Sequence, residues 1–142
     1  MILGIGNDIV DVNRIHRLID KFGDKFIKRV FTDEEGRRAG ESSNPAAVLA
    51  KRFAAKEAAW KALGDEKKMG IGWKDLRVFN SKAGKPILKF EGEAAKRLYQ
   101  LTPKNMVARL DLSISDEPPY AQAFVIISAD TKGAAGLDRA EN

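Results

Sequence analysis

Three side chains in this sequence carry charge where charge is costly or crowded, and they are the places to look for chemistry. Over residues 2–10, ILGIGNDIV, strand alternation puts Leu3, Ile5 and Ile9 on one face and Gly4, Gly6 and Asp8 on the other. Asp8 then sits on a face stripped of bulk, with room for a ligand or another chain to approach closely. An edge strand carrying a solvated aspartate explains the same pattern equally well. In the run AAVLAKRFAAKEAAWKAL, helical spacing places Ala46, Ala50, Phe53, Glu57, Trp60 and Gly64 on one side, with Lys61 at its edge. A carboxylate among apolar neighbours needs a cation. Lys61, four residues on, could supply an ordinary helix pair worth about 0.3 kcal/mol. A divalent metal is the sharper alternative: Asp8 and Glu57 offer hard oxygens of the kind magnesium takes alongside substrate phosphates. Arg52, Lys56 and Lys61 on the same helix could then face phosphate.

Over residues 107–115 a further acid appears. Ala108, Leu110, Leu112 and Ile114 share one face of a strand, and Arg109, Asp111, Ser113 and Ser115 the other. Aspartate is disfavoured inside strands, so Asp111 is either a surface partner of Arg109 or a reacting group, the ion pair being slightly favoured. His16 is the single histidine and falls at the border of an apolar stripe. GIGND has neither the lysine of a phosphate loop nor the third glycine of a dinucleotide fingerprint.

The elements that must hold these residues are legible in outline. Asp11 can cap a helix whose apolar positions are Val12, Ile15, Leu18, Ile19 and Phe22. A short helical stretch follows Gly23. Thr32 and Glu35 form a capping box for another, ending near Gly40. Asn44 and Pro45 start the long helix, and Gly64 closes it. LRVFN and PILKF make a hairpin around SKAG, residues 91–101 a helix, and VARLDLSIS with YAQAFVIIS a second hairpin across residues 116–119. The expected class is α+β, with a domain over residues 1–128 and a disordered tail over 129–142.

At 142 residues, 44% of them hydrophobic and 32% charged, the chain suits one compact domain. It has no cysteine, which excludes disulfides and thiolate metal sites and fits a reducing, cytoplasmic setting. No apolar run approaches the roughly 20 residues of a membrane span, and MILGIGND lacks the basic region of a secretory signal. The net charge of +5 suggests an acidic partner. Arg14, Arg17 and Lys21 follow helical spacing on one wet face and form a stripe. A basic module binding RNA or another polyanion is the competing reading, but no basic strand rich in aromatics is evident for stacking bases.

The pairing of GIGNDIVDVNRI with KRFAAKEAAWKALG some fifty residues later resembles the small-subunit holo-acyl-carrier-protein synthases of the 4′-phosphopantetheinyl transferase superfamily. The similarity extends to about residue 128 and includes Gly84-Lys85-Pro86. It implies that family's fold, with antiparallel hairpins packed around a long central helix. It implies magnesium on Asp8 and Glu57, coenzyme A as donor held by Arg52, Lys56, Lys61 and Gly84-Lys85-Pro86, and apo-acyl carrier protein as acceptor. Docking falls on the first helix through Arg14, Arg17 and Lys21. Neither nucleic acid nor membrane is an expected partner. The implied assembly is a homotrimer with interfacial active sites, serving fatty acid biosynthesis. Many relatives carry the pattern His-x-Ser-x-Ser-His where this chain has Asp111-Leu112-Ser113-Ile114-Ser115-Asp116. A carboxylate there can still accept a proton or orient a water, so the resemblance implies catalytic roles for Glu57, Lys61 and Asp111.

Overall fold

The computed structural model describes residues 1–64 and 70–133. The chain begins with strand β1 (Ile2–Asp11) and passes through helices α1 (Val12–Phe22), α2 (Asp24–Val30) and α3 (Asp33–Gly40) into the long helix α4 (Pro45–Ala62). Strands β2 (Leu76–Asn80) and β3 (Pro86–Phe90), helix α5 (Gly92–Leu101), and strands β4 (Met106–Glu117) and β5 (Tyr120–Thr131) complete it. The helix starts follow local chemistry. Asp11 accepts from the Asn13 N–H at 2.9 Å, Asn44 accepts from the Ala47 N–H at 3.2 Å, and Thr32 with Glu35 closes a reciprocal capping box.

Two antiparallel sheets form, one ordered β1-β5-β4 and the other the β2-β3 hairpin alone. Helix α4 lies across the larger sheet, and the reason is visible at β1. A methyl group added at Gly6 would overlap the Ala58 carbonyl oxygen, and one at Gly4 would overlap that of Ala62. The glycines therefore let helix backbone rest directly on strand backbone. The room that glycine opens beside Asp8 is filled by this chain's own helix.

Burial on α4 is not confined to one stripe. Leu49, Ala54, Ala55, Ala58 and Ala59 are buried together with Ala46, Ala50 and Phe53, and so are Arg52 and Lys56. A helix buried nearly all round lies inside the domain rather than on it. Glu57, Trp60 and Lys61 lie on its less enclosed side. His16 is exposed.

The larger sheet is covered on one face only. Its inner row, Val10, Ala121, Ala123, Val125 and Ile127, is fully buried. On the outer face Ile5 is 53% and Ile9 61% exposed, with Phe124 and Val107 also open. Of the apolar set that alternation separates in β1, Ile5 and Ile9 thus point away from the core, whereas Leu3, at the register irregularity between Ile2 and Gly4, packs against it. The tail expected from Ala129 starts later: β5 continues through Thr131, and Ala129 is buried and bonded to Met1 through both backbone groups. Residues 134–142, where the rest of that expectation falls, lie outside the described residues. No described helix is long and apolar enough to cross a membrane.

Candidate active site

Asp8 is an acid on the N-terminal strand, yet its side chain is only 16% exposed. It projects from the inner face of β1, where it pairs in register with Ala123 and, across β5, lies level with Ile114. Contact between Gly6 and Ala58 brings the C-terminal half of α4 alongside. Lys61 reaches back from that helix: its Nζ donates to Asp8 Oδ1 at 3.2 Å and to the Asn7 carbonyl at 3.0 Å. Burial pushes the Asp8 carboxyl above its ordinary pKa, while the Lys61 hydrogen bond and charge and the more distant Arg14 charge pull it down. Glu57 precedes Lys61 by one helical turn and is partly buried. Asp8, Glu57 and Lys61 therefore share one corner, between β1 and α4.

Among the described residues no group of three or more acidic, histidine or cysteine side chains could hold a metal by itself. Two carboxylates at a corner that is not sealed suit magnesium, which binds through one or two protein acids and takes its other ligands from phosphate and water. The donor set fits that ion and does not fit zinc.

Lys56 belongs elsewhere. It is completely buried, with Nζ 2.9 Å from Glu35 Oε1, and it donates to the carbonyls of Trp73 (2.9 Å) and Leu76 (2.7 Å). All three ammonium hydrogens have partners. Burial lowers its pKa, and Glu35 opposes that shift. Lys56 anchors the fold and offers nothing to a phosphate, so its expected role in coenzyme A binding is withdrawn.

Arg52 and the Gly84-Lys85-Pro86 segment do come together. Arg52 Nη2 donates to Asn80 Oδ1 at 2.8 Å, and Asn80 Nδ2 donates to the Gly84 carbonyl at 3.0 Å. Gly84 takes a φ of 87°, which favours glycine. The Lys85 carbonyl accepts from the Ser81 N–H, the Lys85 N–H donates to Ser81 Oγ, and Pro86 pairs with Asn80 in the ladder. Asn80 escapes sequence reasoning; its sole signal is its place at the end of β2, just before the turn. At 100° per residue, Arg52 and Glu57 point roughly 140° apart around α4. The two sets of candidate residues thus occupy different sides of one helix.

Asp111 lies on the outer face, in the row that includes Ile126 and Ile5. Its Oδ2 is 2.9 Å from Arg109 Nε and its Oδ1 3.0 Å from Arg109 Nη2. That is the surface ion pair favoured by the strand pattern, and the sheet separates Asp111 from Asp8 of the same chain. Asp116 is level with Val10, on the inner side, and borders a cleft with His16 and Asn44.

On α1, Arg14, Arg17 and Lys21 are all exposed. The Arg14 guanidinium sits 5.6 Å from the centre of the Phe53 ring, and Lys21 Nζ 5.2 Å from that of Phe22. Arg14 therefore leans toward the Asp8 corner while the rest of the stripe runs away from it.

Residues 4–124 match the model of the 4′-phosphopantetheinyl transferase superfamily. Among curated relatives, the holo-[acyl-carrier-protein] synthase of Rhodopseudomonas palustris strain HaA2 is 48% identical over 140 residues, covering 96% of this chain and 99% of the relative. That of Phenylobacterium zucineum is 49% identical over 129 residues, covering 91% and 94%. Among solved structures, the synthase of Neisseria meningitidis superposes with a TM-score of 0.78 at 38% identity, covering 90% of this chain and 99% of the other. The Helicobacter pylori synthase, solved in complex with coenzyme A, gives 0.73 at 27% identity over 87% and 99%.

Proposed function

This chain belongs to the 4′-phosphopantetheinyl transferase superfamily, and on that premise we propose that it moves the 4′-phosphopantetheine arm of coenzyme A onto a serine of an apo-acyl carrier protein. The observation that carries the proposal is the corner where Asp8 and Lys61 meet beside Glu57, in a chain about half identical to named synthases along nearly its full length. The polyanion-binding alternative gives way to the enzyme on the strength of that kinship.

The serine hydroxyl attacks the β-phosphorus of the coenzyme A pyrophosphate. A new P–O bond forms, the bond from that phosphorus to the oxygen bridging to the adenosine-side phosphate breaks, and adenosine 3′,5′-bisphosphate leaves with that oxygen. Asp8 and Glu57 would hold magnesium, which when bound would supply charge neutralisation at the pyrophosphate. Lys61, steered by the Asn7 carbonyl, directs its ammonium at the same corner and can donate to a phosphate oxygen. The serine proton passes to a carboxylate, either Glu57 or Asp111 contributed by a second copy. Positioning and preorganised charge account for most of the acceleration.

The assembly in this proposal is a homotrimer. Two features support it: the uncovered apolar face around Ile5, Ile9 and Phe124, and the separation of the Arg52–Gly84 set from the Asp8–Glu57 corner, which a second copy can bridge. A cytoplasmic setting and service to fatty acid biosynthesis complete the proposal by family likeness. Incubation with coenzyme A, magnesium and apo-carrier protein tests it: the carrier should gain the mass of one phosphopantetheine. An unmodified carrier under saturating substrates overturns the proposal.

A further inference from the structure

The β2-β3 hairpin is a two-stranded sheet on its own, and such a hairpin is marginal in water unless tertiary ties hold it. Near its base the ties are strong. Glu35 accepts the Val78 N–H at 3.0 Å, Lys56 binds the Leu76 carbonyl, and Arg77 pairs with Glu34 at 2.9 Å. At the tip the tie is Asn80, whose side-chain amide is used from both ends.

The amide orientation is dictated by its neighbours. A guanidinium only donates and a carbonyl only accepts, so the oxygen must face Arg52 and the nitrogen Gly84. Arg52 is 5% exposed, and its Nε has no partner. In so confined a setting the Asn80 oxygen is the hydrogen-bond acceptor that fixes the guanidinium, whose charge also feels Glu35 and Glu34. The Gly84 carbonyl is meanwhile held by the opposite end of the same amide. Aspartate cannot substitute, because its second oxygen would face that carbonyl.

We propose that Asn80 is a positioning residue for the coenzyme A donor: it aligns the Arg52 guanidinium with the Gly84-Lys85-Pro86 tip, so that both meet the anionic end of the molecule in one fixed arrangement. This rests on the donor being coenzyme A. Asn80 touches no reacting atom. Its loss therefore weakens ground-state and transition-state binding of the donor alike, which raises KM and spares kcat.

The test uses the full chain with coenzyme A as the calorimetric probe, alongside steady-state kinetics for both substrates. Asn80→Ala should raise the Kd and KM for coenzyme A roughly tenfold, the scale of one lost orienting hydrogen bond. The kcat and the KM for carrier protein should hold within about twofold. Asn80→Asp keeps the acceptor for Arg52 but turns a carboxylate oxygen toward the Gly84 carbonyl, so it too should raise the Kd and KM for coenzyme A while sparing kcat. It decides the matter should Asn80→Ala fail to fold, and unchanged coenzyme A affinity in it counts against the proposal. In an Arg52→Gln background, Asn80→Ala should cost less than it does alone, because the two act as a unit. Unchanged coenzyme A affinity in Asn80→Ala, or equal losses for both substrates in step with a lowered Tm, overturns the proposal. A wild-type chain that does not bind coenzyme A overturns the proposed function as well.

Discussion

Lys56 and Glu35 meet with their charged atoms 2.9 Å apart, and both side chains are almost wholly cut off from solvent. The pair joins three elements: Glu35 comes from α3, Lys56 from α4, and both bind backbone groups at or beside β2. Removing one partner of a buried, hydrogen-bonded ion pair strands the other. Lys56→Met should therefore lower the unfolding free energy by about 3–5 kcal/mol in urea titrations. A loss below about 1 kcal/mol, the scale of exposed pairs, would contradict this burial.

Removal of either metal ligand should act on chemistry before it acts on folding. Asp8→Ala and Glu57→Ala should each cut turnover roughly a hundredfold or more, the equivalent of losing a few kcal/mol of charge stabilisation. Circular dichroism should show both variants folded. Chelator should reproduce the loss in the wild type, with recovery on added magnesium; full activity in chelator would refute the metal assignment.

Asp8 also predicts a pH dependence of stability. Its folded pKa is raised above the ordinary 3.8, so the native state holds the proton more tightly than the unfolded chain. The corresponding stabilisation is fully present below pH 3.8 and is lost as pH rises through the folded value. At neutral pH, without metal, the ionised carboxylate is a net cost. Asp8→Asn should then unfold at higher urea than wild type in chelator at pH 7, and the advantage should fade as pH falls below 3.8. A variant less stable than wild type at pH 7 would show that the Lys61 contact outweighs burial.

Because the sheet separates Asp111 from Asp8 within a chain, a catalytic Asp111 must serve a neighbouring copy. Asp111→Asn should then lower kcat with little change in KM for coenzyme A. Subunits carrying Asp8→Ala and Asp111→Asn, co-refolded in equal amounts, should recover roughly a quarter of wild-type activity by random pairing around a ring. Wild-type turnover in Asp111→Asn would leave this residue as the surface partner of Arg109.

Reversal of charge on α1 should change encounter with the carrier protein. The double variant Arg14→Glu, Lys21→Glu should raise the KM for an acidic carrier and flatten its dependence on ionic strength. The KM for coenzyme A should barely move, although Arg14 lies within the field of Asp8. A defect confined to coenzyme A would reassign the stripe to the donor.

Local signals were the legible part of this chain. Asp11, Thr32 with Glu35, and Asn44 with Pro45 mark helix starts by side-chain chemistry alone, and period-two patterning marks β1, β4 and β5. The Asp8–Lys61 corner was partly legible, since spacing placed each residue on its own element but could not bring the elements together. Lys56 shows where such reading stops. Helical register ranks it beside Arg52 and Lys61 as a cation on α4, and nothing local reveals that Glu35 arrives from α3 to enclose it. The outer face of the larger sheet is a similar case: alternation separates Ile5 and Ile9 from Asp8 correctly, but only the packing of α4 decides which set is covered.

Gly4 and Gly6 press the carbonyls of Ala62 and Ala58 against β1, so main chain meets main chain between the two carboxylate-bearing elements. Whatever spacing a cation needs between Asp8 and Glu57 is consequently gauged by the thickness of two polypeptide backbones, not by the fit of intervening side chains. Substitutions elsewhere in the interior can shift rotamers and volumes without changing that gauge. A single methyl group at either glycine would act as a shim, prising the acids apart while leaving both in place.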